Sequence, residues 1–222
     1  MESKSFPFSF VIAGRYAKQR KQYDLRYGER GSCLAYWNII LKTGAFILAR
    51  RSLDTTPNKG TRSGDVDLGV VTFLMEKETI GSSSVSTLFN KHSGVLGVSG
   101  VSSDMRDILN AKNEGNDRAR LAWKMYQYKV LKYISSYVGV LNGVDAIVFT
   151  GGVGENRTEI REYVCKQLDY LGLKIDYDLN RDARAQEVLL STPDSKVKVC
   201  VIPTDEEFMI ASDTIEILKQ LN

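Results

Sequence analysis

The pattern of apolar and polar residues predicts alternating strands and helices over most of the chain. Ala146–Phe149 is a short run of apolar and β-branched residues, typical of a buried strand, and Lys196–Thr204 alternates as a second strand would. Asp117–Leu141 repeats apolar residues at three- and four-residue spacing, which predicts a long amphipathic helix. Two more helices are predicted over Thr158–Leu171 and Asp205–Leu221.

Other segments have less regular patterns. Val66–Met75 is an apolar run that fits either a strand or the start of a buried helix. Ser82–Lys91 is predicted as a short helix with a serine cap, and Ser93–Leu109 as a glycine- and serine-rich turn that leads into a helix. Gly172–Gln186 is typical of an edge strand followed by a polar connection. Residues 1–59 contain apolar runs with weak turn signals, and no element is predicted there.

Alternating helices and strands predict an α/β layered fold. Hydrophobic residues make up 43% of the chain and charged residues 26%, the balance of an ordinary globular protein. A net charge of +3 is too small to indicate nucleic-acid binding. No stretch approaches the roughly 20 apolar residues that a transmembrane helix needs. We therefore predict neither nucleic acid nor membrane as a partner.

The cysteines and the single histidine exclude two kinds of site. Cys33, Cys165 and Cys200 are widely spaced and form no CxxC pair, so they are typical of reduced thiols in a cytoplasmic protein. The one histidine, His92, lies in the loop-like segment Asn90–Gly94. A metal site built from several histidines is therefore excluded, and we expect a surface or hydrogen-bonding role for His92.

Glycines follow the first predicted strand at once, in the segment Thr150–Asn156 with the sequence TGGVGEN. Consecutive glycines let the backbone come close to a ligand, and amides at the start of the next helix favour anions. The spacing matches neither GxGxxG nor the P-loop pattern GxxxxGK[ST]. The segment predicts a loop that binds a phosphorylated ligand, with a tight strand-to-helix turn as the alternative.

Two arginine-containing segments are further candidates. Arg62 stands among glycines and small residues in GTRSGDVD, where its guanidinium could bind an anion through two hydrogen bonds. The alternative is a surface turn held by an Asp–Arg pair. In SSDMRD, Asp104 and Arg106 could hydrogen-bond a ribose or a base, although Ser102, Ser103 and Asp104 are also good candidates for a helix N-cap.

Adjacent carboxylates follow the second predicted strand, in PTDEE at Pro203–Glu207. Ligands collect at the carboxyl ends of strands in layered α/β folds, and carboxylates there can hold Mg²⁺ beside a nucleotide phosphate. Acidic residues also favour a helix N-terminus for electrostatic reasons, which is the structural alternative.

Four segments, taken in this order, closely resemble the C-terminal half of the acetate kinase family: Gly60–Asp67, Ser93–Asp107, Asp145–Arg161 and Val201–Glu207. That family includes propionate and butyrate kinases. The resemblance implies an α/β fold of the ribonuclease H-like, actin-like ATPase type, a mixed sheet flanked by helices. It implies that residues 60–222 form a nucleotide-binding domain and that residues 1–59 are a degraded remnant of the interdomain region.

The resemblance also implies roles for individual residues. Arg62 matches the arginine that stabilises the transferred phosphoryl group, and Glu206 matches a glutamate associated with Mg²⁺. Asp104 and Arg106 match residues at the adenosine. The segment that lines the nucleotide pocket in the family is matched by Gly152, Val153, Gly154, Glu155 and Asn156.

The activity implied is transfer of the γ-phosphoryl group of ATP to acetate, with Mg²⁺, to give ADP and acetyl phosphate. A nucleotide and a carboxylate are then the expected small-molecule partners, and a cytoplasmic homodimer is expected. Residues 1–59 lack the family's glycine-serine phosphate segment and its catalytic histidines, and His92 does not replace them. We therefore expect a truncated, disrupted member with little or no activity; the alternative is a non-catalytic domain for nucleotide binding or dimerisation.

The last predicted helix returns toward the N-terminal domain in the family. Phe208, Ile215 and Leu218 are therefore expected to lose part of their burial in this chain. Exposed apolar surface costs about 25 cal/mol per Å². Reduced stability, or self-association through this surface, would follow.

Overall fold

The structure, a computed structural model, describes residues 9–13, 46–48, 60–204 and 206–221 of the chain. These residues form two compact units. The first unit contains residues 60–133, and the second contains the remaining described residues. The boundary between them lies inside a helix, between Tyr133 and Ile134, whereas the sequence analysis divided the chain at residue 60.

The first unit is helical. Its helices are α1 (Leu68–Lys77), α2 (Ser82–Lys91), α3 (Gly94–Ser99), α4 (Met105–Asn113) and the greater part of α5 (Asp117–Val140). The long helix α5 agrees with the helix predicted over Asp117–Leu141. The segment from α2 to α4 contains no strand, in agreement with the predicted helices and turn. The buried apolar residues of this unit are Val85, Val95, Met105, Ile108, Ala119, Ala122, Trp123, Tyr126 and Val130.

Helix starts in the first unit follow the capping residues only in part. The carboxylate of Asp104 accepts a hydrogen bond from the amide of Arg106, which confirms the predicted cap of α4. The predicted serine cap of α2 is wrong, because Gly81 occupies the cap position and no side chain bonds there. Asp67 caps α1 through a 2.7 Å bond from the amide of Gly69. The apolar run after Asp67 is therefore a helix and not a strand.

Helix α1 is not buried, although its sequence is apolar. None of its residues falls in the buried class, and Leu68 and Phe73 are 81% and 58% exposed. Periodicity alone could not reveal this, because the same run of apolar residues suits a core helix and a surface helix that has apolar positions.

The second unit is built on a five-stranded mixed sheet with the order β2-β1-β3-β5-β4. The strands are β1 (Ser9–Ala13), β2 (Phe46–Leu48), β3 (Ala146–Thr150), β4 (Val188–Leu189) and β5 (Lys198–Val201). Strands β3 and β5 run parallel, and the other neighbours are antiparallel. The mixed sheet is confirmed, and two of its strands come from residues 1–59, where no element was predicted.

Among the described residues, four helices belong wholly to this unit: α6 (Gly151–Asn156), α7 (Thr158–Gln167), α8 (Tyr177–Asp182) and α9 (Glu206–Leu221). Helix α6 contacts β1 and β3, and α7 contacts α8. Strand β3 is buried along its whole length, as predicted. Helix α7 adds Ile160 and Val164, and its C-cap residue Leu168 continues the same buried face at four-residue spacing.

Two predictions for this unit are corrected. The helix predicted over Thr158–Leu171 stops at Gln167 and is followed by a 3-10 turn that ends at Gly172, whose φ of 73° suits glycine. The edge strand predicted in Gly172–Gln186 is absent from the described residues there apart from a single bridge at Ile175. Asp176 instead caps α8, because its carboxylate accepts bonds from the two amides that begin the helix.

Helix α9 exposes apolar side chains. Ile215 and Leu218 are each 54% exposed, which confirms the exposure expected for them, while the side chain of Phe208 lies outside the described residues. Ile210 and Ile217 are exposed as well. Among the helices described, none combines the length and apolar character that a membrane crossing requires.

Two thiols are buried in the second unit. Burial raises the pKa of Cys165 to about 12 and the pKa of Cys200 to about 11. An unfolded chain loses these protons near pH 8.5, so above that pH the unfolded state binds fewer protons than the native state. The free energy of unfolding should then fall by about 1.4 kcal/mol per pH unit for each thiol, up to about pH 11.

Urea unfolding measured between pH 8 and pH 10 tests this expectation. The variant Cys165→Ala/Cys200→Ala is the control, because it lacks both thiols, and it should lose stability less steeply with rising pH. Equal slopes in the wild-type and control chains would contradict the assignment of these two buried thiols.

Candidate functional site

The backbone on both sides of Arg62 is held by the end of α2 and the start of α3. The carbonyl of Thr61 accepts a 2.8 Å bond from the amide of Ser93, and the amide of Ser63 donates to the carbonyl of Phe89 at 2.9 Å. The side chain of Arg62 is exposed. An exposed cation is thus carried on a backbone fixed at both of its neighbours.

Helix α5 fixes the next residues of the same segment. The ammonium of Lys129 donates to the carbonyl of Ser63 at 3.4 Å, and the hydroxyl of Tyr133 donates to the carboxylate of Asp65. Within the described residues, no carboxylate lies in ion-pair range of Arg62. An Asp–Arg pair is therefore not what orders this turn in the described part of the chain.

The segment Ser102–Asp107 is an ordered cap at the start of α4. The hydroxyl of Ser102 donates to Asp107 at 2.7 Å and accepts from the amide of Asp104 at 3.0 Å. The carboxylate of Asp104 accepts from Nε and Nη2 of Arg106, the latter at 2.6 Å. The hydrogen bond to Asp104 raises the pKa of Arg106. Asp104 thereby aims a guanidinium that remains 69% exposed.

Gly60 joins these two segments. A β-carbon placed on Gly60 would lie 2.6 Å from the carbonyl oxygen and 2.7 Å from the β-carbon of Ser103. Gly60 precedes Arg62 by two residues, and Ser103 directly precedes Asp104. The structure therefore brings the backbone that carries Arg62 against the cap that carries Asp104 and Arg106.

The single histidine, His92, lies in the same unit, directly before the Ser93 whose amide binds Thr61. His92 is the C-cap residue of α2, its amide donates to the carbonyl of Leu88 at 3.1 Å, and its side chain is exposed. This agrees with the surface role expected for it.

The glycine-rich segment of the second unit is not a loop. Gly151 takes a left-handed φ of 70° directly after β3, and Gly151–Asn156 then forms helix α6. The amide of the Asn156 side chain donates to the carbonyl of Gly152 at 3.0 Å. The predicted loop is wrong, because one left-handed glycine is enough to reverse the strand and the next residues close a helical turn. A strand-to-helix turn forms, and binding of a phosphorylated ligand by this segment stays a prediction.

The five predicted pocket residues are therefore consecutive helical residues with different exposure. Gly152 is exposed, Val153 and Asn156 are half-buried, and Gly154 and Glu155 are buried. The carboxylate oxygen Oε1 of Glu155 accepts from the amide of Thr204 at 2.9 Å and from its hydroxyl at 3.1 Å. Glu155 thus binds the segment that follows β5.

The buried guanidinium of Arg161 holds helix α6 by hydrogen bonds. Arg161 of α7 is fully buried and donates to the carbonyls of Gly154 and Glu155, both at 2.8 Å. It also donates to the side-chain and backbone oxygens of Asn180 and to the carbonyl of Ala183, at 2.9, 3.1 and 2.6 Å. Arg161 therefore connects α6, α7 and α8 through five hydrogen bonds.

Burial lowers the pKa of Arg161 to about 10, so the side chain keeps its charge at neutral pH. The sequence analysis did not single out this residue. A signal was present, because Arg161 stands three and four residues before Val164 and Cys165, on the apolar face of its helix. A charged residue on such a face requires partners that replace water.

Glu206 is the first residue of α9, five residues beyond the last residue of β5. The described residues contain no cluster of three or more histidine, cysteine or acidic side chains that could hold a metal ion. Mg²⁺ beside a nucleotide usually needs only one or two carboxylates, because phosphates and water complete its coordination. A glutamate at the start of α9 is compatible with that chemistry.

The structure thus places the predicted site residues in two groups. Arg62, Asp104 and Arg106 lie in the first unit, and the residues of α6 lie with Glu206 in the second. Within each group the segments are in contact, through Gly60 and Ser103 in one and through Glu155 and Thr204 in the other.

Comparison with known proteins gives one consistent result. A model of the Acetokinase family matches residues 52–212. Acetate kinase of Bacteroides thetaiotaomicron is 60% identical over 161 residues, which are 72% of this chain and 40% of that protein. Acetate kinase of Acetivibrio thermocellus is 52% identical over 73% of this chain and 40% of its own. The chain spans about two fifths of the length of the curated relatives it matches.

Solved structures agree with this result. The crystal structure of Porphyromonas gingivalis acetate kinase matches with a TM-score of 0.72 and 51% identity, over 78% of this chain and 43% of that one. A propionate kinase from Francisella tularensis matches with a TM-score of 0.64 and 34% identity, over 72% of this chain and 40% of that one. The fold is therefore that of the actin-like ATPases. Within that class, the chain belongs to the Acetokinase family.

Replacement of Arg161 by methionine should destabilise the second unit. Four buried carbonyls and the side chain of Asn180 would lose a donor, and each unpaired buried group costs about 1–3 kcal/mol, so we expect a loss of about 3 kcal/mol or more. Urea unfolding measures it. Arg184→Met removes an exposed arginine and is the matched control, expected to change stability by about 0.5 kcal/mol or less. Equal unfolding midpoints for the two variants would contradict the buried role.

Replacement of Gly60 by alanine should disturb the contact with Ser103. The added methyl group meets backbone, which cannot rotate away, and such overpacking costs about 1–3 kcal/mol. Thermal unfolding should show a lower midpoint for Gly60→Ala. Gly139→Ala, inside α5, adds a methyl group into open space and should leave the midpoint unchanged or raise it. A Gly60→Ala chain as stable as the Gly139→Ala chain would argue against close contact.

Proposed function

We propose that this chain is the nucleotide-binding part of an acetate-kinase-type phosphotransferase, which transfers the γ-phosphoryl group of ATP to acetate and yields ADP and acetyl phosphate. One observation carries the proposal. The backbone that carries the exposed Arg62 lies against the cap that carries Asp104 and Arg106, which supports a shared site for the phosphoryl group and the nucleoside. The family membership supports the reaction class.

The proposed roles follow from the geometry of each side chain. Arg106 presents a planar guanidinium that Asp104 holds in one orientation, and such a group stacks well on an aromatic base. Arg62 is an exposed cation on an ordered backbone, and its fork of donors suits the oxygens of the transferred phosphoryl group. Because its neighbours are held by backbone bonds, the backbone at Arg62 is already ordered before a ligand binds.

In the second unit, further nucleotide-binding residues are proposed to follow the ends of strands β3 and β5. Gly152, Val153, Gly154 and Asn156 are proposed to line the pocket as part of helix α6, and the buried Glu155 is proposed to support them from within the protein. Glu206 is proposed to hold Mg²⁺, which would neutralise charge on the phosphates when bound. Backbone approach is possible at Gly152, which is exposed and has open space where a β-carbon would be.

For the 222-residue chain by itself, we infer nucleotide binding with little or no phosphoryl transfer. The resemblance implies catalytic histidines in segments that precede Arg62, and the one histidine of this sequence, His92, follows it. A non-catalytic nucleotide-binding domain is thus the second candidate function. The cytoplasmic location and the homodimer remain predictions from the resemblance.

Calorimetric titration with Mg-ADP tests the nucleotide site. The wild-type chain should bind Mg-ADP. The affinity of Arg106→Ala should be lower by about tenfold or more, the effect of one lost charge-assisted interaction. Arg120→Ala is the matched control, because Arg120 is also an exposed arginine paired with an aspartate, Asp117, at 2.8 Å. It should bind as the wild type does.

An assay of acetyl phosphate formation in the same preparation tests the activity. We expect none above background for the wild-type chain. Turnover would contradict the inferred lack of transfer. Failure of the wild-type chain to bind any adenine nucleotide would contradict the proposed function itself.

A further inference from the structure

The contact between Glu155 and Thr204 joins the ends of two parallel strands. In the register of β3 and β5, Phe149 lies beside Val201, and the amide of Ile202 donates to the carbonyl of Phe149 at 3.0 Å. Beyond this point the hydrogen bonds between the two strands end. The segment after β3 continues into α6, and the segment after β5 continues toward α9. In the described residues, the side chain of Glu155 links these two segments through its hydrogen bonds with Thr204.

The acceptor in this contact is fixed. Glu155 is only 8% exposed, and its carbonyl accepts one of the bonds from the buried Arg161. Gly154, next to it, is held by the same guanidinium. Both the backbone and the carboxylate of Glu155 are therefore constrained, and its oxygen offers an acceptor at a defined place.

The donor side leads directly to the acidic segment. Thr204 gives both its amide and its hydroxyl to one carboxylate oxygen, and α9 begins two residues later at Glu206. Partly buried bonds of this kind, made to a charged acceptor, are stronger than bonds in water. Without these bonds, the side chain of Glu155 on α6 would no longer hold the segment between β5 and α9.

We propose that Glu155 and Thr204 are positioning residues that set where α9 begins and thereby place the acidic segment against the glycine-rich helix α6. The carboxylate of Glu155 then acts on the protein and does not itself contact the nucleotide. The consequence for Mg-nucleotide binding rests on the proposed function. The positioning itself does not, and the two can be measured separately.

Hydrogen exchange of the amide of Thr204 tests the positioning without any ligand. Glu155→Gln keeps an acceptor oxygen, whereas Glu155→Met has a similar length and no such acceptor. In Glu155→Met we expect the amides of Thr204 and of the first turn of α9 to exchange about tenfold faster or more, with β3 and α7 unchanged. Glu155→Gln should resemble the wild type. Equal protection in all three chains would overturn the proposal.

A second pair of variants decides the matter if Glu155→Met does not fold. Thr204→Val preserves the branched shape and removes only the hydroxyl, and Thr204→Ser restores the hydroxyl. Faster exchange in Thr204→Val that Thr204→Ser reverses supports the proposal. Equal exchange in Thr204→Val and the wild type would count against it.

Titration with ADP, once with Mg²⁺ and once with EDTA, tests the consequence. In Glu155→Met, or in Thr204→Val if the former is unfolded, the gain in affinity that Mg²⁺ provides should shrink about tenfold. The affinity in EDTA should stay within about twofold, because Asp104 and Arg106 are untouched. Equal losses with and without Mg²⁺ would indicate a merely structural role and overturn the positioning role. A wild-type chain that binds no ADP would refute the proposed function, while the exchange result would still decide the positioning.

Discussion

The buried guanidinium of Arg161 is the interaction on which the second unit depends. A charge removed from water is costly unless fixed dipoles replace the solvent. Here the replacement comes from Asn180 and from the carbonyls of Gly154, Glu155 and Ala183. The carbonyls near the end of a helix lack partners within it and carry partial negative charge, so a cation suits them. The hydrogen bonds of this side chain thereby compensate for its own loss of water and satisfy the unpaired carbonyls at the end of α6.

The hydrogen bonds of Arg161 also affect the ends of strands β3 and β5. Helix α6 has only six residues and could not be stable by itself, because short helices lack enough bonds to offset their entropy. Held by Arg161, it presents the carboxylate of Glu155 to Thr204 and so connects the end of β3 with the end of β5. The first unit uses a different device, in which Asp104 caps α4 and orients Arg106, and Gly60 allows the segment of Arg62 to come close. In both units, hydrogen bonds order the backbone that carries several of the candidate residues before any ligand binds.

Local patterns predicted the elements whose signal lies within a few residues. Strand β3, the long helix α5 and the cap at Asp104 are of this kind, because apolar spacing and a side-chain oxygen next to a free amide act over short distances. The predictions that were wrong involve competition between two local choices. Gly172–Gln186 has strand-like composition, but the carboxylate of Asp176 stabilises a helix start. The glycines after β3 suit a loop, yet α6 forms because Arg161 binds carbonyls at its end.

By itself, the sequence determined the family resemblance, the order of the candidate segments and the residues in them, since these are properties of the chain read in order. Only the tertiary structure decided which segments meet. Strand β1 pairs with β3 across more than 130 positions of sequence, Arg161 reaches Asn180 and Ala183, and Thr204 reaches Glu155 across 49 residues. Such contacts depend on how separate elements come together, and no local propensity encodes them. The roles of Arg161 and Thr204 are therefore visible only in the folded chain.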